Sequence, residues 1–259
     1  MQKTSELYQE LLASNYKTET RLAIGEAGRL ITKQGDSITF GGTSILVGAT
    51  GADGGYDESL LVSMETRNSM FPGENPLVGC CAIGKIDIEM HKPIGEIPAK
   101  ARLVPYVRLT DGVRTSEWIQ KGVFYVDTRQ KKEDGSAIEK IVIEGYDDMR
   151  RTEQDYPSSS LRWPAKDIDV VREIASFIRV SVDPRTAAIM NHGYSVQYPG
   201  GYSCREVLGY IAAMYAGCFV MSDLGELRLV ALNSIPAETR YLITEGGQPI
   251  TFGGVRILV

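Results

Sequence analysis

The sequence predicts an α+β fold, in which a β-barrel-like N-terminal domain precedes a smaller α+β domain and a C-terminal strand segment repeats an N-terminal element. Three observations lead to this prediction. Residues 16–155 carry short strand patterns separated by turn signals, whereas residues 156–235 carry amphipathic helix patterns and one hairpin. The third observation is a stretch that occurs twice, at Leu30–Val47 and again at Leu242–Val259.

Composition narrows the class of protein. The chain has 259 residues, of which 43% are hydrophobic and 24% are charged, so it can bury a real core in one large or two ordinary domains. Its net charge of −5 argues against a nucleic-acid binder that works through overall positive charge. Apolar runs are too short for a membrane span, and we expect no signal peptide in the first residues.

The duplicated stretch reads LITKQGDSITFGGTSILV in the first copy and LITEGGQPITFGGVRILV in the second, with twelve of eighteen positions identical. This spacing is too long for a solenoid unit and indicates a duplicated element near the start of two similar domains. Residues 236–259 would then be the start of a second β-domain or a strand returning to the first. We favour continuation of the natural protein beyond Val259.

The chain is predicted to begin with a short helix that precedes the N-terminal β-domain. This docking helix lies within residues 1–15, and the first strand of the domain follows at Thr20–Ile24. Residues 48–55 form a glycine-rich loop, which we expect to be mobile. In the docking helix of residues 1–15, the apolar residues share one face: Leu7, Tyr8, Leu11 and Leu12.

Further strand, turn and helix patterns lie in the N-terminal domain. Residues 86–90 alternate apolar and acidic side chains, as a half-buried strand does, and Ala101–Leu109 is a strand that Pro105 marks as an edge or a bulge. Asp111–Gly112 is a turn signal. A hairpin is predicted with strands at Trp118–Val126 and Ile138–Glu144 and a polar turn at Lys131–Gly135. A short helix is predicted to follow, from residue 145 toward Gln154.

The second domain begins after a composition change at Tyr156–Pro164, which is typical of a linker. A helix starts at Asp167, and we expect an irregular stretch after Asp183–Pro184. The apolar face of this helix is Val170, Val171, Ile174, Phe177 and Ile178.

The next helix has the clearest boundaries in the chain. Ser203 and Glu206 form a capping box, Val207–Tyr215 is the body, and Gly217 is the expected C-terminal stop. Two strands then surround the turn at residues 222–225, namely Cys218–Met221 and Glu226–Val230.

Candidate sites for small ligands are weak. The segment Gly79–Ile86 nearly matches a phosphate-binding loop, but Ile86 replaces the required Ser or Thr and a strand pattern follows where a helix is needed. His91 and His192 lie far apart without local partner ligands, so we interpret both as surface or loop histidines. The four cysteines are interpreted as buried free thiols in a reducing compartment: Cys80, Cys81, Cys204 and Cys218.

Two pairs of neighbouring carboxylates are candidates for general acid–base catalysis. Asp147–Asp148 and Asp87/Glu89 are such pairs, but glycosidase chemistry needs two carboxylates that face one cleft from separate elements. Asp87 and Glu89 are better interpreted as a solvated strand face, and Asp147 as part of the first turn of a helix. We therefore assign no catalytic, cofactor-binding or metal-binding residue and expect no enzyme.

Several segments together resemble the hub or tail-tip proteins of long-tailed bacteriophages and prophages. The segments that carry the resemblance are RLVPYVRLTDG at 102–112, EWIQKGVFYV at 117–126, IEGYDDM at 143–149 and YSCREVLGYIAAMYAGCFVMSDLGELRLV at 202–230. The resemblance covers residues 16–259 and implies two similar β-barrels per subunit. Three subunits then form a pseudo-sixfold ring between a hexameric tube and a trimeric tip.

This resemblance implies a structural protein of a virion tail that is assembled in the bacterial cytoplasm. The implied partners are other copies of the chain in a homotrimer, a distal tail or tail tube protein, and tail-tip or fibre proteins. Two alternatives stay open. One is the N-terminal part of a tail-associated cell-wall hydrolase, and the other is a carbohydrate-binding module, which an exposed cluster of Tyr106, Trp118 and Tyr125 would favour.

Overall fold

The computed structural model describes residues 4–25, 56–70, 77–92, 97–132 and 139–232. Outside these ranges it describes six two-residue strands, which form three pairs, at 28–29, 39–40, 43–44, 46–47, 251–252 and 255–256. The glycine-rich loop at 48–55 and most of the turn predicted at 131–135 lie outside the described residues. In the described part of the chain, no helix has the length and apolar character needed to cross a membrane.

Most of the strands come before most of the helices along the chain, as in an α+β fold. The helices are α1 (Glu6–Leu12), a 3-10 helix (Asp148–Glu153), α2 (Asp167–Phe177), α3 (Pro184–Ile189) and α4 (Cys204–Met214). The strands up to the 3-10 helix are β1 (Lys17–Ile24), β2 (Gly28–Arg29), β3 (Thr39–Phe40), β4 (Thr43–Ser44), β5 (Leu46–Val47), β6 (Tyr56–Asp57), β7 (Leu61–Arg67), β8 (Cys80–Cys81), β9 (Lys85–His91), β10 (Arg102–Thr110), β11 (Ile119–Gln120), β12 (Phe124–Lys132) and β13 (Lys140–Tyr146). Those after it are β14 (Ala165–Lys166), β15 (Ser195–Val196), β16 (Gly217–Met221), β17 (Leu227–Ala231), β18 (Thr251–Phe252) and β19 (Val255–Arg256).

The large sheet is antiparallel and runs in the order β6-β1-β10-β12-β13-β9-β7, with β11 added beside β10. Its two ends, β6 and β7, are not paired with each other, so the described part of this sheet is open rather than closed into a barrel. The alternation predicted at 86–90 is confirmed, because Ile86, Ile88 and Met90 are buried while the residues between them are not. These side chains pack with Leu22, Leu103, Phe124 and Ile143 in one apolar core.

Pro105 does not mark a sheet edge, contrary to one of its two predicted meanings. It lies opposite Leu22 on an inner strand, β10, between β1 and the pair β11 and β12. Its carbonyl accepts a hydrogen bond from the Lys121 backbone N–H at 2.9 Å, so its nitrogen faces the same side. On that side the β12 pairing ends at Leu103 and the β11 pairing begins at Tyr106. The missing N–H therefore falls in a gap between two partner strands.

The strand predicted over Trp118–Val126 is two strands in the structure. Ile119–Gln120 pairs with β10, and a new strand begins at Phe124. Gly122 separates them with a φ of 136°, and a Cβ there would lie 2.4 Å from the Phe124 ring. The hairpin of β12 and β13 follows as predicted, and Asp111–Gly112 forms the predicted turn.

A second apolar core lies under a smaller sheet of order β17-β16-β8. Helices α2 and α4 supply many of its buried side chains, among them Ile174, Leu208 and Ile211, and β16 adds Phe219. The strand β8 joins this sheet in parallel, with Cys80 opposite Cys218. Strand β8 therefore belongs to the sheet of the second region, although it comes directly before β9 of the large sheet along the chain. The sequence pattern does not predict this pairing.

Three expectations for the second region are corrected. Tyr156 is buried and Leu161 and Trp163 pack against the second core, so residues 156–164 are docked rather than a free linker. The stretch after Asp183 is helical over Pro184–Ile189, because the Asp183 carboxylate caps it by accepting a hydrogen bond from the Arg185 backbone N–H. Phe177 is 40% exposed and lies outside the apolar face of α2.

Helix α4 forms as predicted at its start but ends one residue earlier than expected. Both hydrogen bonds of the Ser203–Glu206 capping box are present. The left-handed residue at its C-terminal end is Ala216, with a φ of 47°, rather than Gly217. Gly217 instead begins β16, where a Cβ would lie 2.5 Å from the Val230 carbonyl oxygen. Glycine is thus required there by close strand approach and not by the helix cap.

The N-terminal helix is shorter than the predicted segment, and only part of its apolar face is buried. Leu11 is fully buried, whereas Leu12 is 52% exposed. The helix is capped by the Ser5 hydroxyl, which accepts a hydrogen bond from the Tyr8 backbone N–H.

Corresponding residues of the repeated stretch are paired in the two copies, as far as the structure describes them. Thr39 pairs with Ser44 and Phe40 with Thr43 in the first copy. Thr251 pairs with Arg256 and Phe252 with Val255 in the second. Each pair of strands therefore encloses the Gly-Gly dipeptide in the same register, at 41–42 and at 253–254.

Candidate functional site

The buried carboxylate of Asp147 lies where the two cores meet. It caps the 3-10 helix by accepting a hydrogen bond from the Met149 backbone N–H at 3.1 Å through Oδ1. Its Oδ2 accepts a hydrogen bond from the Gly84 backbone N–H at 2.8 Å. A Cβ at residue 84 would lie 2.6 Å from that oxygen, so the approach needs glycine. Asp147 thus joins the β8–β9 connection to the start of the 3-10 helix.

The titration of Asp147 is shifted by its burial. Removal from water raises its pKa from 3.8 to about 7, and the two backbone N–H donors and the Arg205 cation only partly oppose this. A carboxyl with a pKa near neutrality is a feature of general acids and bases. Here, however, both oxygens accept backbone hydrogen bonds, so the group serves as a structural tie.

Asp148 is buried beside two side chains from different elements. The Arg151 Nε lies 3.0 Å from its Oδ1, and the Tyr125 phenol is hydrogen-bonded to its carboxylate. Burial raises the pKa of Asp148, and the Arg151 cation opposes that rise. Arg151 also donates a hydrogen bond to the Ile178 carbonyl at the end of α2, at 3.2 Å. Asp148 and Arg151 therefore connect the large sheet to the helical region.

A cleft of about 430 Å³ opens beside these residues. Arg150 lies over the Tyr146 ring at 4.5 Å, and Arg151 lies over the Tyr125 ring at 4.7 Å. Both arginines are already engaged, since Arg150 also pairs with Asp127 at 3.2 Å. Several charged groups that line the cleft are held in ion pairs or ring contacts, among them Arg150, Arg151 and Glu153, so the cleft suits a packing joint between two regions.

The second carboxylate pair, Asp87 and Glu89, was expected on a solvated strand face, but in the structure both side chains are ion-paired. Asp87 lies 2.8 Å from the Lys85 ammonium, and Glu89 lies 2.7 Å from that of Lys132. Their side chains are only 27% and 19% exposed. They lie on the outer face of β9, opposite the buried apolar side chains, so this face is a network of charges across neighbouring strands.

The histidines are separated, as the sequence indicates. His91 is the last residue of β9 and is half-buried, so it is a strand residue rather than a loop residue. His192 is exposed and stacks against Tyr194 with ring centroids 5.6 Å apart. Within the described ranges, no group of three or more His, Cys, Asp or Glu side chains could hold a metal ion. All four cysteines are buried and free, as predicted.

The exposed aromatic cluster that would favour a carbohydrate-binding module is not present at Tyr106, Trp118 and Tyr125. Tyr106 and Trp118 both contact Arg21, at 5.3 and 4.6 Å from the ring centroids, and Arg108 covers Trp118 at 4.3 Å. Tyr125 lies apart in the cleft beside Arg151. All three aromatic side chains are only partly exposed. A sugar-binding platform needs a free ring face, and the Trp118 ring is instead in contact with the guanidinium groups of Arg21 and Arg108.

The exposed apolar surface beside α4 is a feature that sequence reasoning missed. We call it the α4 patch, and its members are each at least 42% exposed: Leu77, Val78, Tyr202, Tyr210 and Met214. The Tyr202 and Tyr210 rings meet edge to face at 5.6 Å. The 77–79 segment lies against the helix, since a Cβ on Gly79 would come within 2.8 Å of the Ala213 Cβ. The exposed spacing of Tyr210 and Met214, four residues apart on α4, is the signal that could have revealed it.

Apart from the α4 patch, the apolar side chain of Val113 is exposed at the tip of a hydrogen-bonded turn. Val113 is 93% exposed, although the turn around it is held by the Asp111 carboxylate. That carboxylate accepts hydrogen bonds from the Val113 and Arg114 backbone N–H groups at 2.9 and 2.7 Å, which lower its pKa to about 2. Arg114 also pairs with Glu10 of α1 at 3.1 Å. Val113 is therefore exposed on a turn whose backbone is held in place by hydrogen bonds.

Comparison with known proteins gives similarity at the level of structure alone. No family model matches the chain, and no curated protein matches it either. A 43 kDa tail protein of prophage MuSo2 from Shewanella oneidensis superposes with a TM-score of 0.48 at 15% identity, over 83% of this chain and 56% of that one. A tail protein from Neisseria meningitidis MC58 gives 0.43 at 12% identity, over 83% and 51%.

A complex of PdpA with VgrG from Francisella also superposes, with a TM-score of 0.36 at 10% identity, over 70% of this chain and 25% of that one. The chain thus spans about half the length of the two tail proteins and a quarter of the Francisella chain.

Proposed function

We propose that this chain is a structural component of a phage tail or of a phage-derived injection apparatus. In this role it is the distal hub that joins the tail tube to the tip through protein–protein interfaces. The observation that carries the proposal is the repeated hairpin, in which Thr39–Ser44 and Thr251–Arg256 pair in the same register. A subunit with two equivalent β-elements can present six equivalent surfaces as a trimer and so match a sixfold tube.

The order of elements supports the same role. The motifs that resemble tail hubs fall on β10, on β12 and β13 with the 3-10 helix, and on α4 with β16 and β17. We propose an organisation in which residues 1–15 dock on the first β-domain, residues 16–155 form that barrel-like domain, and residues 156–235 form the α+β domain. Residues 236–259 would begin a second β-domain.

The surfaces available for contacts also favour a binding role. The α4 patch exposes five apolar side chains together, and Val113 extends from a turn that its own hydrogen bonds hold in place. Contact surfaces of this kind lose little conformational entropy on binding, because the backbone is already ordered. We propose that they contact a distal tail or tail tube protein, tip or fibre proteins, or another copy of the chain in the homotrimer.

A non-enzymatic role is in keeping with the candidate carboxylates. Asp147 is tied to two backbone N–H groups, Asp148 to Arg151, and Asp87 to Lys85. Each group is engaged in holding the fold. The proposed location is the virion tail, after assembly in the bacterial cytoplasm.

The proposal is tested by assembly and by activity in parallel. The chain is co-expressed with the tail tube protein encoded in the same gene cluster, and the tube protein carries the affinity tag. We expect the two to co-elute as one complex in size-exclusion chromatography. Separate elution of two folded proteins would contradict the hub role. Release of soluble fragments from purified peptidoglycan by the chain alone would instead favour the hydrolase alternative.

A further inference from the structure

Two buried cysteines from distant parts of the chain face each other across the smaller sheet. Cys80 on β8 and Cys218 on β16 are direct partners in the parallel ladder, although they are 138 positions apart in sequence. Paired residues on neighbouring strands have Cα atoms about 5 Å apart, which lies within the range of disulfide-bonded cysteines. Their Sγ atoms are 3.0 Å apart. The side chains therefore already point at each other.

The other two cysteines have different surroundings. Cys81 directs its sulfur toward the Arg205 carbonyl at 3.6 Å, and Cys204 toward the Asp155 carbonyl at 3.9 Å. Cys80 and Cys218 instead share one acceptor, the Leu77 carbonyl, which lies 3.0 Å from each sulfur. One backbone oxygen thus holds both thiols on the same side of the ladder, and this distinguishes the pair from the remaining two.

We infer that Cys80 and Cys218 form an intramolecular disulfide when the folded chain meets a low-molecular-weight disulfide such as glutathione disulfide. The bond would fasten the 77–81 segment to the β16–β17 hairpin. This inference goes beyond the proposed function and does not depend on it.

The reaction is a two-step thiol–disulfide exchange. The Cys80 thiolate attacks one sulfur of glutathione disulfide, so a mixed disulfide forms and one glutathione thiolate leaves. The Cys218 thiolate then attacks the Cys80 sulfur and releases the second glutathione. The two cysteines lose two electrons and two protons, and one glutathione disulfide becomes two molecules of glutathione.

Access and rate are set by the surroundings of Cys80. A cleft of about 290 Å³, lined by Cys80, Arg205 and Tyr210 among others, leads to its side chain. Burial raises the pKa of Cys80 to about 12, while the Arg205 cation opposes the rise. The thiolate is therefore scarce at neutral pH, and oxidation should be slow. The pair stays reduced in a reducing compartment and closes on long exposure to an oxidising one.

The test uses the intact chain. Folded protein is equilibrated with glutathione disulfide, free thiols are blocked after denaturation, and the product is mapped by mass spectrometry. We expect two of the four cysteines to become unavailable and a peptide containing Cys80 to be linked to one containing Cys218. Cross-linking a loop of this length should also raise the melting temperature by roughly 10 °C.

Matched variants identify the two sulfurs. Cys81→Ser and Cys204→Ser should keep the cross-link, whereas Cys80→Ser and Cys218→Ser should lose it. Four free thiols in the wild-type chain after equilibration would overturn the inference, and so would a cross-link that persists in Cys80→Ser. An oxidised chain that melts at the temperature of the reduced chain would overturn the fastening role of the bond.

Discussion

The Asp147 carboxylate accepts a hydrogen bond from the Gly84 backbone N–H at 2.8 Å. This single contact links the connection between β8 and β9, which serve different sheets, to the helix that follows β13. The carboxylate is buried, and its N-cap role fixes where the chain leaves the large sheet. The two cores are therefore held in register by a group whose charge depends on pH.

Replacing Asp147 by Asn should change how stability depends on pH. The pKa of Asp147 is raised from 3.8 to about 7 by burial, so the folded state holds its proton more tightly than the unfolded state. The resulting stability is fully present below about pH 4 and is lost as pH rises through about 7. The unfolding free energy of the wild type relative to Asp147→Asn should thus fall over this window, by at most about 4 kcal/mol. Urea unfolding at several pH values measures it.

A surface acid provides the control for this experiment. Asp169 pairs with Arg172 on the outer side of α2, and Asp169→Asn makes the same replacement at a surface ion pair, which should cost less than about 1 kcal/mol. A constant difference between the wild type and Asp147→Asn from pH 4 to pH 7 would show that Asp147 does not titrate in this window.

Helix α4 should depend on its buried side more than on its cap. Leu208 is completely buried in the second core, so Leu208→Ala should lower the unfolding free energy by roughly 2–5 kcal/mol. Ser203→Ala removes one half of the capping box and should cost about 1 kcal/mol. Met214→Ala, at an exposed position of the same helix, should cost less than either. A Leu208→Ala variant as stable as the wild type in chemical denaturation would contradict the packing.

Residues 156–164 should resist limited proteolysis. Tyr156 is buried and hydrogen-bonded to Glu173, and the Ser159 hydroxyl binds the same carboxylate at 2.8 Å. A protease needs several residues of extended, detached backbone, which this packing denies. Mass spectrometry of early fragments should show no cleavage in this segment, and Glu173→Ala should make it susceptible. Early cleavage there in the wild type would restore the interpretation as a linker.

The α4 patch should matter for assembly and not for folding. Tyr210 is 60% exposed, so Tyr210→Ser should leave the melting temperature within a few degrees of the wild type. The same change should weaken the complex with the tail tube protein at least about tenfold, as loss of an exposed aromatic contact does. Leu224→Ser is the matched control, because Leu224 is 57% exposed on the turn between β16 and β17. Equal binding by both variants would remove the patch from the interface.

Local patterns in the sequence predicted the elements that depend on near neighbours. The capping box of Ser203 and Glu206 and the alternation along β9 are set within a few residues, and both form as expected. Features that depend on distant partners could not be predicted. Gly217 was interpreted as a helix stop, yet it is fixed by Val230 across the hairpin. The sequence pattern at Pro105 indicates an edge or a bulge, whereas the gap that accommodates this proline depends on where β11 and β12 pair with β10.

The same limit applies to the candidate site. Sequence singled out Asp147 and its place at the start of a short helix, but its partner Gly84 is 63 positions away. The contacts of the Trp118 ring with Arg21 of β1 and Arg108 of β10 likewise join segments that no local pattern brings together. Cys80 and Cys218 were correctly interpreted as buried thiols, while their pairing depended on a parallel ladder between β8 and β16.

Native mass spectrometry of the chain bound to rings of its tail tube protein is the most direct test of the hub proposal. The repeated hairpins, at Thr39–Ser44 and Thr251–Arg256, make each subunit a carrier of two similar elements. The account predicts a trimer of this chain on a hexameric tube ring. A complex with equal numbers of the two chains, or a chain that stays monomeric beside intact rings, would contradict it.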